Sequence, residues 1–287
     1  MRVGVDSYSY HRLFGEIYPN QADPGRRWEF QQSIDEAVRL GADGLSLETC
    51  FMPRFNEDYL KVLKQKLDAS GLERMVAWGH PDGLEGGRNR DAAREMEGHL
   101  ATAQSLGATV MRIVGSSLMF RDEPHGPQIE RIADILKHSV KRAEDAGIRL
   151  AIENHIDFTA DEILQILDRV DSPVLGVNFD TGNTLRVFED PVEAARKLAP
   201  YTYATHIKDI RPATGSPRDW TFWASAPAGG GIIDMPGVVG ALADGGYDGM
   251  LCVEIDFQSD PHADEVEAVQ QAVGYLRGLI NGKERSS

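Results

Sequence analysis

Cysteine is nearly missing from the sequence: Cys50 and Cys252 are the only two among 287 residues. Two isolated thiols make neither a disulfide framework nor a spaced zinc-ligand set, and they point to a reducing compartment. Long apolar runs are missing as well. No stretch of about 18 apolar residues occurs, so a membrane-spanning helix is not expected. Basic charge is scarce: Lys and Arg number 30 against 45 Asp and Glu, for a formal charge of −15. A field of that sign repels phosphate backbones, which argues against nucleic acid as the main partner. There is no Gly-x-Gly-x-x-Gly turn after an early strand, the usual mark of a dinucleotide-binding sheet. Nor does a signal-peptide pattern precede the apolar alternation at Val3 and Val5, so a cytoplasmic location is expected.

What is present is a core-forming composition, 41% hydrophobic, arranged in a strand–helix rhythm. Short apolar runs begin near Val3, Gly44, Arg74, Thr109, Arg149, Val174, Tyr203 and Met250. Between them, Trp28–Leu40, Glu57–Ser70, Arg90–Leu106 and Ile129–Ala146 carry apolar residues at helical spacing. Gly41, Gly71, Gly107 and Gly147 each stand where a left-handed helix cap is needed before the next strand. Thr159-Ala-Asp-Glu162 has the form of a capping box ahead of a further helix. Eight such units in one chain of this length predict an α/β fold, a single (β/α)8 TIM barrel over residues 1–287. The longest connection, 211–236, carries Gly229-Gly230-Gly231 and the aromatics Trp220, Phe222 and Trp223. It follows the seventh strand and is expected to act as a lid.

In such a barrel, chemistry sits at the C-terminal strand ends. Period-two alternation there sends Leu150 and Ile152 outward, and so Ala151 and Glu153 inward. The same reasoning turns Asp180, His206 and Glu254 inward on the next three strands. Small residues beneath them (Ala151, Gly176, Ala204, Cys252) are expected to leave room at the mouth. Three carboxylates cannot converge in a low-dielectric cleft without compensating charge. A divalent cation is the economical compensation. Oxygen-rich ligation with one imidazole suits Mn²⁺, with Mg²⁺ and Co²⁺ as alternatives. For any one of these residues, a helix cap or an ion pair is the simpler reading; the matched set of four favours the metal.

These motifs, Leu150-Ala-Ile-Glu153-Asn-His155, Asn178-Phe-Asp180-Thr-Gly-Asn183, His206-Ile-Lys208-Asp209 and Val253-Glu254-Ile-Asp256, resemble the xylose-isomerase-like superfamily of TIM barrels, its sugar-phosphate isomerase/epimerase group. The resemblance implies that Glu153, Asp180, His206 and Glu254 hold a divalent metal and that Glu153 and Glu254 are also the acid/base pair. It further implies a small keto-sugar or sugar acid as substrate, isomerised or epimerised through a metal-stabilised enediolate. The segments Asp6-Ser-Tyr-Ser-Tyr-His11-Arg12-Leu-Phe-Gly15, Leu47-Glu48-Thr49 and Trp78-Gly79-His80-Pro81 look like a narrower branch, similar to 3-oxo-isoapionate decarboxylases. That likeness implies a metal-dependent lyase acting on a β-keto sugar acid, and eliminative cleavage of an oxidised glycoside is the related alternative. Two departures from the epimerase pattern accompany it. Asn183 stands where epimerases have a His, and Pro212 where they have an Arg.

A β-keto acid requires cations for its carboxylate, and Arg112, Lys208 and Arg211 are the candidates. Lys208 has a plainer alternative in pairing with Asp209 or Glu254, and Arg211 in solvation. His80, His155 and Asn183 are placed for substrate contact, His155 also for proton transfer or for supporting Glu153. Glu48 either binds a sugar hydroxyl or pairs with Arg112. Tyr8, Tyr10 and His11 are candidates for the pocket wall, Trp220 and Trp223 for a cover over sugar or an oligomer contact. A multi-metal DNA-repair hydrolase of the same superfamily is disfavoured by Asn183 and by the charge. A barrel that only binds its ligand is disfavoured by the intact Glu153 and Glu254. A small carbohydrate is thus the expected partner, without nucleic acid or membrane, and a homo-oligomer is compatible with all of this.

Overall fold

The computed structural model describes residues 1–284. Eight parallel strands form the barrel: β1 (Arg2–Asp6), β2 (Gly44–Glu48), β3 (Glu73–Ala77), β4 (Val110–Val114), β5 (Arg149–Glu153), β6 (Leu175–Asp180), β7 (Thr202–His206) and, after the hairpin β8 (Asp209–Pro212) and β9 (Trp223–Ala226), β10 (Met250–Val253). Their order is β10-β1-β2-β3-β4-β5-β6-β7. The ring closes at its C-terminal rim, where Ile207 N donates to Cys252 O (2.7 Å) and Glu254 N to Ile207 O (3.2 Å). All eight strands start within one residue of the positions read from the apolar runs.

Helices α1 (His11–Phe14), α2 (Gln32–Arg39), α3 (Glu57–Ser70), α4 (Arg90–Leu106), α5 (His125–Ala146), α6 (Ala160–Val170), α7 (Thr181–Arg186), α8 (Pro191–Leu198), α9 (Met235–Asp244) and α10 (Glu265–Glu284) fill the connections. Helices α3 and α4 have the expected bounds. Helix α5 starts four residues early, because Pro127 is tolerated in a first turn that the apolar spacing does not mark. Helix α2 starts late: Trp28 N is bound to Leu13 O (2.8 Å) and its ring packs on Tyr10, which ties Trp28 to the first loop. Gly41, Gly71, Gly107 and Gly147 all have positive φ, between 64° and 74°, as their cap positions demand. The Thr159–Glu162 capping box is formed in both directions. Among the described residues no helix is long and apolar enough to cross a membrane.

Parity divides the apolar residues into two bodies. Leu150, Ile152, Val177, Phe179, Leu251 and Val253 face outward into the layer shared with the helices. Ala151, Ala204 and Cys252 face inward and pack with Met75, Val110, Met250 and Tyr203. The small inward residues therefore give their space to those larger side chains rather than to the mouth. A Cβ on Gly176 would lie 2.4 Å from the Tyr203 ring, and one on Gly4 or Gly44 would meet Met250 Sδ.

The connection 211–236 is neither disordered nor free. Strands β8 and β9 pair antiparallel, and the buried Asp209 carboxylate pins the far end. It accepts N–H bonds from Ile210 (2.8 Å), Gly229 (3.0 Å), Gly231 (2.9 Å) and Ile233 (3.1 Å). A Cβ on Gly231 would lie 2.1 Å from Asp209 Oδ1, which explains part of the glycine run.

Beyond β5 the chain turns through Asp157, whose buried carboxylate accepts from Phe158 N (2.8 Å) and leaves Oδ2 without a hydrogen bond. Burial pushes this group up to about 8. The folded value lies above the ordinary one near 4, so the acid form stabilises the fold fully below about pH 4, and that contribution fades as pH rises towards 8. Asp157→Asn, neutral at every pH, should therefore gain stability over the parent by up to about 1.4 kcal/mol per pH unit across that window. Urea unfolding of both proteins at pH 5 and pH 8 checks this; a pH-independent difference contradicts it. Gly176→Ala overpacks the barrel interior against Tyr203 and should cost about 1–3 kcal/mol in the same assay. An unchanged midpoint contradicts that packing.

Candidate metal centre and cavity

The C-terminal rim of the barrel holds a charge imbalance. Asp6, Glu48, Glu153, Asp180, Glu254 and Asp256 are all buried there, together with the cations Arg112, Arg186 and Lys208 and the ring of His206. His206 Nδ1 lies 3.0 Å from Glu254 Oε2, 3.5 Å from Glu153 Oε2 and 3.9 Å from Asp180 Oδ2. Its Nε2 lies 3.2 Å from Asp6 Oδ2. The four side chains read from the strand ends thus converge on one ring nitrogen. Ligand atoms of Glu153, Asp180 and His206 all fall within 4.8 Å of one another, and this group could hold a metal ion. Glu254 adjoins it through His206.

The hydrogen-bond inventory fits a cation. Both His206 nitrogens, Asp180 Oδ2, Glu254 Oε2 and Asp6 Oδ2 are buried without a well-aligned hydrogen bond. Polar atoms left in this state destabilise a fold unless some other partner takes them. Six carboxylates against three fixed cations leave surplus negative charge, and the titration directions follow from it. Burial favours the neutral ring of His206, but Glu254 and Glu153 overcome it and push its pKa up. Burial raises Asp180 to about 7, with Lys208 opposing. Burial likewise lifts Glu48 to about 8, against the pull of Arg112. For Glu153 the burial penalty is outweighed by Arg112 and His206, which hold it below the usual range. Glu254 is held low by Lys208 and His206 against the same penalty.

The remaining site candidates divide. Arg112 donates from Nε to Glu153 Oε2 (2.5 Å) and lies 3.6 Å from Glu48 Oε1, so Glu48 does pair with it while also lining the cavity. Lys208 contacts Asp256 (2.8 Å), Glu254 (3.2 Å) and Asp180 (3.3 Å). Its expected alternative partner Asp209 is engaged by the hairpin loop instead. Asn183 donates to Glu153 Oε1 (3.0 Å) and accepts from Arg186 Nη1 (2.8 Å), which makes it a strut behind the glutamate. His80 stacks on Trp78 and lines the cavity. His155 also lines it with Nδ1 unpartnered, and burial pushes its pKa down to about 4, so the ring is neutral. Glu153 is braced by Arg112, Asn178 and Asn183, not by His155. Arg211 lies elsewhere: exposed, it donates to Gly230 O, because the β8–β9 hairpin carries it off the rim.

Above these groups is a cavity of about 470 Å³. Of the first-loop aromatics, Tyr8 lines it, while Tyr10 is core and His11 stacks behind Tyr8. Trp220 lines it from the hairpin and meets Tyr18 edge-on at 5.2 Å, so the two long loops touch over the opening. Trp223 packs instead near Phe188 and Phe222. Sequence reasoning missed Tyr18 on the cavity wall and four polar groups of the rim. Asp6 and Asn178 obey the same inward parity as Glu153. Asp256 lies three residues past the end of β10, and Arg186, joined to it at 2.9 Å, is the last residue of α7, so strand alternation reaches neither.

Comparison with known proteins agrees with this architecture. The inosose dehydratase of Lacticaseibacillus casei is 25% identical over 280 residues, covering 90% of this chain and 92% of that protein. A solved L-ribulose 3-epimerase superposes with a TM-score of 0.75 at 17% identity, over 99% of this chain and 96% of its own. The IOLI protein, solved with a zinc atom, gives 0.75 at 16% identity over 98% and 99% of the two chains. These two likenesses carry the fold. The family model for the xylose isomerase-like TIM barrel matches residues 34–279, from within α2 into the last helix. By that match the chain belongs to the xylose isomerase-like TIM barrel family.

Proposed function

We propose that this chain is a divalent-metal-dependent enzyme that enolises a small keto-sugar or sugar acid, with isomerisation or epimerisation as the outcome. The observation that carries the reading is the convergence of Glu153, Asp180 and Glu254 on His206 Nδ1, with buried polar atoms left unpaired. Glu153, Asp180, His206 and Glu254 would hold the cation, Mn²⁺ on the grounds of their oxygen-rich set. When bound, it supplies Lewis-acid stabilisation to oxygen that gains negative charge as the substrate enolises.

The chain's own residues do the rest. Glu153 and Glu254 come from the strands that flank Asp180 and His206 in the ring. One accepts the carbon-bound proton next to the substrate carbonyl, and the other returns a proton to the neighbouring carbon or to the opposite face. Arg112 and Lys208 keep these two carboxylates ionised and ready to accept. Glu48, His80 and His155 offer hydrogen bonds to substrate hydroxyls. Tyr18 and Trp220 shield the reacting carbon from water.

A lyase is the second reading, and Asn183 favours it. The position where sugar epimerases have a His is turned back onto Glu153, away from the cavity. Loss of water or a glycosidic group after the same enolising step would use the same carboxylates, whereas loss of carbon dioxide would itself form the enolate, with no carbon-bound proton removed and one acid group returning a proton to carbon. Loss of water is what the name of the L. casei relative, inosose dehydratase, denotes.

Solvent exchange separates the readings. With Mn²⁺, D2O and a panel of keto-sugars and keto-acids, an isomerase incorporates deuterium reversibly into both substrate and product. A decarboxylase releases CO2 and labels only the product; the absence of exchange and turnover with every compound contradicts the proposal. Glu254→Gln should lower turnover by about 10²–10⁴-fold while the thermal midpoint stays within a few degrees of the parent. EDTA should abolish activity and added Mn²⁺ restore it; full activity after chelation sinks the metal role.

A further inference from the structure

The group on the far side of His206 from the three carboxylates is Asp6, at the end of β1. Its Oδ2 is 3.2 Å from His206 Nε2, and both side chains are fully buried. The other oxygen, Oδ1, accepts from Tyr8 N (2.6 Å), which fixes the carboxylate's orientation as the first loop leaves the strand. Asp6 Oδ2 has no other hydrogen-bonding partner, nor has Nε2. The barrel order brings the two strand ends together: β1 neighbours β10, and β10 closes onto β7.

We propose that Asp6 is a positioning residue for the metal centre: it accepts the Nε2 proton of His206 and so holds the Nδ1 lone pair towards Glu153, Asp180 and Glu254. The inference rests on the metal reading above and adds a residue that reading does not use. A neutral imidazole has one donor and one acceptor nitrogen, and the partner of one decides the role of the other. Three carboxylate oxygens around Nδ1 would attract a proton there, which is the wrong tautomer for a ligand. An acceptor committed to Nε2 opposes that, as carboxylates behind ligating histidines do in general. Asp6 contacts no substrate in this arrangement, since it does not line the cavity.

The test uses the full chain and its Asp6→Asn variant. The asparagine keeps an oxygen for Tyr8 N, so the first loop is retained, but it loses the charged acceptor at Nε2. Mn²⁺ affinity, read by competition with a chromogenic chelator, should fall about 10- to 100-fold. In the Zn²⁺-loaded parent the His206 Nε2 proton should appear as a low-field, slowly exchanging ¹H resonance, the mark of a hydrogen bond to a carboxylate, which ligation through Nδ1 alone does not supply. This second measurement needs no variant and stands even if Asp6→Asn folds poorly. Equal affinity of parent and variant within twofold overturns the proposal, as does the absence of that resonance with metal bound. A parent that binds neither Mn²⁺ nor Zn²⁺ overturns the metal reading itself, a distinct result from tight binding by both proteins.

Discussion

The structure turns on buried negative charge. Strand ends and the residues just after them bring six carboxylates to one rim, and among the described residues only Arg112, Arg186 and Lys208 are buried there as fixed counter-charges. Ion pairs of this kind are costly to bury and costly to break, because removing one partner strands the other in low dielectric. The rest of the rim is arranged around that problem. Arg112 spans Glu48 and Glu153, and Lys208 joins Asp180, Glu254 and Asp256. His206 stands in the middle with no aligned bond of its own. An enolising enzyme has reason to maintain such a site, since a cation there serves both to neutralise the cluster and to stabilise charge on the reacting oxygen.

The fold was legible because its signals are local. A helix followed by a cap glycine and an apolar run is repeated along the chain, and the positive φ values at Gly41, Gly71, Gly107 and Gly147 are the same fact seen in coordinates. Alternation assigned Glu153, Asp180 and Glu254 to the inner face because an outward apolar residue precedes each at the end of a short strand, and His206 stands at the matching place on β7. The same argument was available for Asp6, which ends the first strand, but alternation gives a direction and not a partner. That Asp6 meets His206, 200 residues later, follows only from ring closure.

The misreadings have the same origin. Arg211 lies five residues after His206 and reads as part of the rim, yet β8 has begun by then and its pairing with β9 takes the side chain away. Ala151, Gly176, Ala204 and Cys252 read as space left open at the mouth. The volume went to Met250, Met75 and Tyr203, whose positions depend on register across the barrel. Asn183, expected to touch substrate, braces Glu153 from behind instead, while His155 stands on the cavity wall as expected and its alternative role of supporting Glu153 falls to Asn183.

Crystals of the full chain soaked in Mn²⁺, with anomalous data collected at the manganese edge, address the central claim without any knowledge of the substrate. The account predicts a single strong peak within coordination distance of Glu153, Asp180, Glu254 and His206 Nδ1, with Arg112 and Lys208 still close by. Well-diffracting soaked crystals with no peak at that position, or with the peak bound elsewhere on the molecule, would contradict it.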